Sequence, residues 1–423
     1  MKQSTRRLLL GAAVGAPLAA WLARPAETGG PHSAYFERLA AALKAAGVAQ
    51  PRLVIDLPRL QANLDAIAAH RKTGMGLRVV LKSLPCLDLI DQVQQRWQTQ
   101  RVMAFNAAQT QQLLKARQHQ QLLLGKPLPV AAAASLLAQL PADVGSSIEF
   151  LVDTEERLAQ YAELSRQRGQ VLRINLEIDV GLHRGGFEGE AALSPALQRL
   201  KTANTLRFSG LMGYDAHVAA LPDLPGMRSQ AWAVSQQRYQ AAWALVQQQL
   251  EAPSRETLTL NTAGSPTFRL HDGRGVANEV SVGSAALLPS DFDKPLLADL
   301  QAAAFIATPV LKAWPRFRLP EGASWLGQAA QAWDRNQLRG YAIHGGHWLA
   351  DPVSPPGVQP SGLYGASSNQ QVMVSSERVL MAPDDLMFWR PRQSEALLLQ
   401  FGDLLVYDGQ RISDSWPVLP ASA

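Results

Sequence analysis

A single cysteine, Cys86, in 423 residues excludes an intrachain disulfide framework and a cysteine-built zinc site. Charged residues make up only 18% of the chain, and the net charge of +5 is scattered. With no basic run interleaved with aromatics, a nucleic-acid partner is not expected. No Gly-x-Gly-x-x-Gly follows the first predicted strand, which argues against a dinucleotide-binding open sheet. No internal repeat is present, and no low-complexity tract lies beyond the amino terminus.

What is there begins with a targeting pattern. Arg6 and Arg7 directly precede an apolar stretch to about Leu22, followed by small residues up to Ala26. This pattern predicts a twin-arginine export signal over residues 1–26 and a periplasmic protein, with no stable membrane association after cleavage. A helical segment is expected within 27–50, where Phe36, Leu39, Ala40 and Leu43 share one face.

From Leu53 onward short apolar strands alternate with helical periodicity through Val280. About nine strands over ~250 residues predict an α/β fold, a (β/α)8 TIM barrel over 51–293. After Asp293 proline, glycine and tryptophan become frequent. Strands are expected at Ala303–Lys312, Leu338–Ile343, Gln371–Val374, Leu397–Phe401 and Leu404–Tyr407, giving a smaller mainly-β domain over 294–423.

The chemistry centres on Lys82, which closes the strand Val79-Val80-Leu81. A lysine at the carboxyl end of a barrel strand can serve as a nucleophile toward an aldehyde when desolvation lowers its pKa. Three loops follow other strands: Asp179-Val180-Gly181-Leu182-His183-Arg184-Gly185-Gly186, Gly213-Tyr214-Asp215-Ala216-His217, and Thr262-Ala263-Gly264-Ser265-Pro266-Thr267. The last offers hydroxyls and backbone N–H groups suited to a phosphate.

Arg78-x-x-x-Lys82, Asp179-x-Gly181-x-x-Arg184-x-Gly186, Gly213-Tyr214-x-x-His217, Thr262–Thr267 and Glu279-Val280-x-x-Gly283-Ser284 occur in that order. Together they resemble the fold-type III pyridoxal-phosphate enzymes, which have an alanine-racemase-like barrel. Within these the similarity is to the D-threonine aldolase and D-serine dehydratase branch. The resemblance implies pyridoxal 5'-phosphate and a Schiff base on Lys82. It places His217, Arg184, Tyr214, Thr262, Gly264, Ser265 and Thr267 around the cofactor. It implies a lyase acting on D- or β-hydroxy-amino acids by aldol cleavage or dehydration, with amino-acid racemisation or non-catalytic amine binding as alternatives. It also implies a homodimer, for which Trp348 and Trp389 offer apolar contact.

The branch carries two metal ligands in a Pro-x-His-x-Cys or Pro-x-His-x-Asp stretch. Here that stretch is Pro391-Arg392-Gln393-Ser394-Glu395, with Gln393 in place of the histidine. One carboxylate is a poor transition-metal site, so no metal ligand is assigned and Glu395 is expected to act on substrate directly. Ser281 stands where an arginine is usual. His344, His347 and Asp351 form a second, compositional metal candidate.

Overall fold

The computed structural model describes residues 24–117, 119–222, 224–322 and 324–421. The arginine pair and apolar stretch lie outside them. Among the described residues no helix is long and apolar enough to cross a membrane. The chain forms two compact units. One comprises Ile55–Ala304 with Arg392–Val406 and Asp414–Ala423; the other comprises Met1–Val54 with Phe305–Pro391 and Tyr407–Ser413.

Strand β1 (Arg52–Asp56) opens the series but stands outside the barrel. The barrel closes with eight strands: β2 (Gly76–Val80), β3 (Arg101–Ala104), β4 (Gln121–Leu124), β5 (Glu149–Val152), β6 (Leu172–Glu177), β7 (Leu206–Gly213), β8 (Thr259–Thr262) and β9 (Glu279–Val282). Pairing is parallel throughout, and Leu77 against Val280 closes the ring. The strands are short and almost wholly buried, as a sheet covered on both faces requires. The sequence-predicted barrel is therefore present, with one strand fewer in the ring than the series suggested.

Helices between the strands start where local chemistry caps them. Asn106 Oδ1 accepts from Gln109 N–H at 2.8 Å and Thr154 Oγ1 from Arg157 N–H at 3.1 Å. The helix Glu155–Arg168 ends on Gly169 in the left-handed region. Inside the barrel, at the amino-terminal ends of the strands, the core is ionic. Arg78, 1% exposed, donates to Glu279 through Nη2 (3.0 Å) and to the carbonyls of Val102 and Gln121. Arg101 and Asn261 also reach Glu279. Nearby, Glu149 accepts from Arg173 (3.0 Å) and Thr259 (2.9 Å). Burial alone would raise the Glu279 pKa, but the charge and hydrogen bond of Arg78, together with Arg101 and Asn261, outweigh it and hold it below the ordinary value.

The other unit is mainly antiparallel sheet. Its strands are β10 (Ala304–Trp314), β11 (Arg339–His344), β12 (Ala350–Ser354), β13 (Gln359–Pro360), β14 (Gln370–Ser375) and β15 (Leu386–Pro391). The order β13-β14-β11-β10-β1 runs across the sheet, with β15 between β10 and β12. Trp389 is buried edge-on to Trp348, 5.7 Å between ring centroids, so it belongs to this core rather than to a contact surface. Leu397–Phe401 is not a strand. Ser394–Leu397 forms a helical turn, because its apolar run places Leu397 and Leu398 side by side in the core of the barrel unit. Such short runs do not distinguish helix from strand by periodicity.

Candidate active site at the barrel mouth

Strand β2 ends at Val80, and Lys82 lies in the 3-10 turn Leu81–Ser83 that follows. Leu81 and Leu84, both fully buried, anchor the backbone on either side. The Lys82 side chain remains 42% exposed and rises into the mouth. Its Nζ lies 4.8 Å from the centre of the Phe105 ring and 3.5 Å from Glu395 Oε1. Cys86 is sealed beneath; burial pushes its thiol up to about 11, so it stays protonated and inert.

A cavity opens above Lys82. Its walls include Arg184, Tyr214, Ala263–Pro266, Gly283, Ser284, Phe292 and Glu395, with Asn261 and Ser281 deeper. Ala263 takes φ +62°, a left-handed turn that starts the loop after β8. A Cβ on Gly264 would lie 2.6 Å from the Tyr214 ring, so glycine is required for that close approach. Ser265 Oγ accepts from the N–H groups of Gly283 (3.1 Å) and Ala285 (3.0 Å), tying this loop to the one after β9. Arg184 stacks over Tyr214, 4.7 Å from the ring centre. Burial holds the Tyr214 phenol above its ordinary pKa, and therefore neutral.

Of the residues expected around a cofactor, Lys82, Arg184, Tyr214, Gly264, Ser265 and Glu395 meet at this cavity. The hydroxyls of Thr262 and Thr267 face the protein instead. Thr262 donates to the Gly213 carbonyl (3.2 Å) and Thr267 to Asp215 (2.5 Å). His217 starts the short helix His217–Ala220 and does not line the cavity. Its Nε2 lies 3.3 Å from where a Cβ on Gly181 would stand, and its Nδ1 is buried without a hydrogen-bond partner. Burial lowers its pKa, which favours the neutral ring.

Sequence reasoning missed the clamp behind these loops. Asp215, fully buried, takes the Thr267 hydroxyl on one oxygen and His271 Nε2 at 2.8 Å on the other. It locks the loop after β7 to the loop after β8. Asp215 lies inside a motif already singled out, but its partner His271 carries no local signal. A second clamp holds Glu395. Asp291 accepts from Arg392 Nε (3.0 Å) and Gln393 Nε2 (3.0 Å), and its N–H donates to the Arg392 carbonyl (3.2 Å). This fixes the turn carrying Phe292 against the turn carrying Glu395.

The arrangement fits an aldehyde cofactor with a phosphate: one accessible amine, two small-residue loops joined through Ser265, and a stacked arginine and tyrosine. The orphaned Oε2 of Glu395, buried without a partner, is a further polar atom placed for a ligand. A metal has less support there. Gln393 gives its amide to Asp291, and among the described residues no group of three ligand side chains gathers at Glu395. Nor do His344, His347 and Asp351 form such a group. Asp179, His183 and Glu188 do approach one another, but none lines the cavity. His183 Nδ1 is 2.7 Å from Asp179, and Arg238 lies within 3.7 Å of both carboxylates.

The chain is similar to several known proteins. The D-threonine aldolase of Arthrobacter sp is 26% identical over 249 residues, 58% of this chain and 63% of its own length. The 3-hydroxy-D-aspartate aldolase of Paracoccus denitrificans (strain Pd 1222) is 24% identical over 161 residues, 37% of this chain and 39% of its own. The chain thus spans less than two thirds of either curated relative. Among solved structures, D-threonine aldolase from Filomicrobium marinum superposes with a TM-score of 0.70 at 19% identity, covering 88% of this chain and 95% of that one. D-threo-3-hydroxyaspartate dehydratase from Delftia sp. HT23 gives 0.68 at 14%, covering 89% and 98%. The family model described as alanine racemase, N-terminal domain, matches residues 55–290, which contain Lys82 and every strand of the closed barrel, and the chain belongs to that family.

Proposed function

We propose that this chain is a pyridoxal-phosphate-dependent lyase acting on D-β-hydroxy amino acids, by aldol cleavage or dehydration, with Lys82 as the amine that carries the cofactor. The observation that carries the reading is Lys82 itself: backbone locked, amine exposed, facing a cavity closed on the far side by glycine- and serine-rich loops. Family membership and the D-threonine and hydroxyaspartate relatives support the same class.

When bound, pyridoxal phosphate supplies an electron-withdrawing ring that weakens the bonds at a substrate's α-carbon. The chain's own residues do the rest. Lys82 Nζ would hold the cofactor, and as a free amine it would hold or give a proton on its own face of the site. Glu395 Oε1, at 3.5 Å, keeps that amine oriented. The loops Ala263–Pro266 and Gly283–Ser284 would hold the phosphate, and the Asp215 clamp holds the first of them in place. Arg184 balances negative charge while stacked on Tyr214. The Phe105 ring stands 4.8 Å from the amine, and Phe292 supplies further apolar wall to the cavity. His217 supports the Gly181–Arg184 loop from behind. Twin-arginine export to the periplasm and a homodimer belong to the same proposal.

The test is product analysis of purified, cofactor-loaded protein with a panel of D-amino acids. Glycine plus an aldehyde, or ammonia plus an oxo acid, is the expected result. Formation of only the L-enantiomer would make the protein a racemase. Retention of cofactor with no turnover would make it a binding protein.

A further inference from the structure

Among the described residues three charged side chains line the cavity: Lys82, Arg184 and Glu395. Two anionic groups must enter under the proposed function, the cofactor phosphate and the substrate α-carboxylate, and with Lys82 committed to the cofactor the lining leaves Arg184 as the cation for them. Among the described residues Glu395 adds the only negative charge in the lining. Its backbone is held in place. It sits in the turn Ser394–Leu397, whose preceding residues Arg392 and Gln393 are pinned by Asp291 and whose Leu397 and Leu398 are fully buried. A substrate's α-carbon must come close to Lys82 Nζ, and Glu395 Oε1 lies 3.5 Å from that atom. Its other oxygen, Oε2, has no hydrogen-bond partner. A carboxylate so placed accepts a hydrogen bond from a side-chain donor and repels a second carboxylate, for which the lining holds no spare cation.

We infer that Glu395 sets the substrate class: the site takes D-amino acids whose side chain ends in a hydroxyl or another hydrogen-bond donor, and rejects those bearing a side-chain carboxylate. The inference rests on the proposed function. It separates the chain from relatives named for hydroxyaspartate and groups it with those named for D-threonine. Discrimination comes from a repulsive element built beside an attractive one.

D-asparagine and D-aspartate differ at the side chain only in amide against carboxylate. The cofactor-loaded protein is titrated with each, following the cofactor's absorbance, and the titration is repeated on Glu395→Gln and Glu395→Ala. Half-saturation by D-asparagine is expected at a concentration at least about tenfold lower than by D-aspartate, and both variants should lose most of that gap. Thermal unfolding of both variants close to that of the parent would show that the fold is kept. Equal half-saturation in the parent, or a gap that persists in both variants, overturns the inference while leaving the proposed function standing. A protein that takes up no cofactor, or whose absorbance no amino acid perturbs, overturns both, and does so before any two ligands are compared.

Discussion

The two ends of the barrel use charge in opposite ways. At the amino-terminal ends of the strands, Arg78 and Glu279 are each 1% exposed and meet through paired contacts, with Arg101, Asn261 and two carbonyls completing the set. At the carboxyl ends, Lys82 and Glu395 are 42% and 33% exposed, stand 3.5 Å apart, and leave a carboxylate oxygen unbonded. The first arrangement is a satisfied plug that fixes the shape of the ring. The second is an unfinished set of contacts, and unfinished contacts are what a ligand can complete. The same residue types thus do structural work where geometry saturates them, and are available for chemistry where it does not.

The largest stability effect should come from breaking the plug. Glu279→Ala strands the buried Arg78 guanidinium and should cost about 3–5 kcal/mol, read as a lowered midpoint in denaturant. A loss under about 1 kcal/mol would mean that water or neighbouring carbonyls replace the carboxylate easily. Next is Glu177, between the two ends in character. Burial first, and then the charge of Asp153, push its carboxyl up to about 7 from an ordinary 4.5. A raised carboxyl favours the folded state fully below the unfolded value and loses that advantage as pH rises through the folded one. Glu177→Gln should therefore stabilise the protein by about 1–3 kcal/mol at pH 8 and much less at pH 5. Equal effects at both pH values would contradict the assignment. The smallest change in stability should come from the mouth: Glu395→Gln should move unfolding by no more than about 1 kcal/mol, because a half-exposed pair contributes little.

Much of this division was legible in the sequence. Short β-rich runs alternating with helical periods gave the barrel, and Lys82 could be placed at a strand end from Val79 and Val80 alone. The plug was half legible: Arg78 and Glu279 lay in two of the ordered motifs, but nothing local said that they meet. What stayed hidden is what depends on separations of tens to hundreds of residues. Asp215 finds His271, and Asp291 finds Arg392 and Gln393, through the closed ring and not through any local pattern. The same holds for Thr262 and Thr267, whose hydroxyls looked like phosphate donors from spacing but turn toward protein acceptors once the loop is folded. Leu397–Phe401 read as a strand because three consecutive leucines carry no period.

The central claim, that the mouth is finished by a cofactor on Lys82, is tested most directly by trapping. Protein incubated with pyridoxal phosphate is reduced with borohydride, digested, and the modified peptide mapped by mass spectrometry. The account predicts a yellow protein and one stoichiometric adduct on Lys82, with both lost in Lys82→Ala while the fold is retained. A protein that never holds the cofactor, or an adduct on another lysine that survives the Lys82→Ala change, would contradict it.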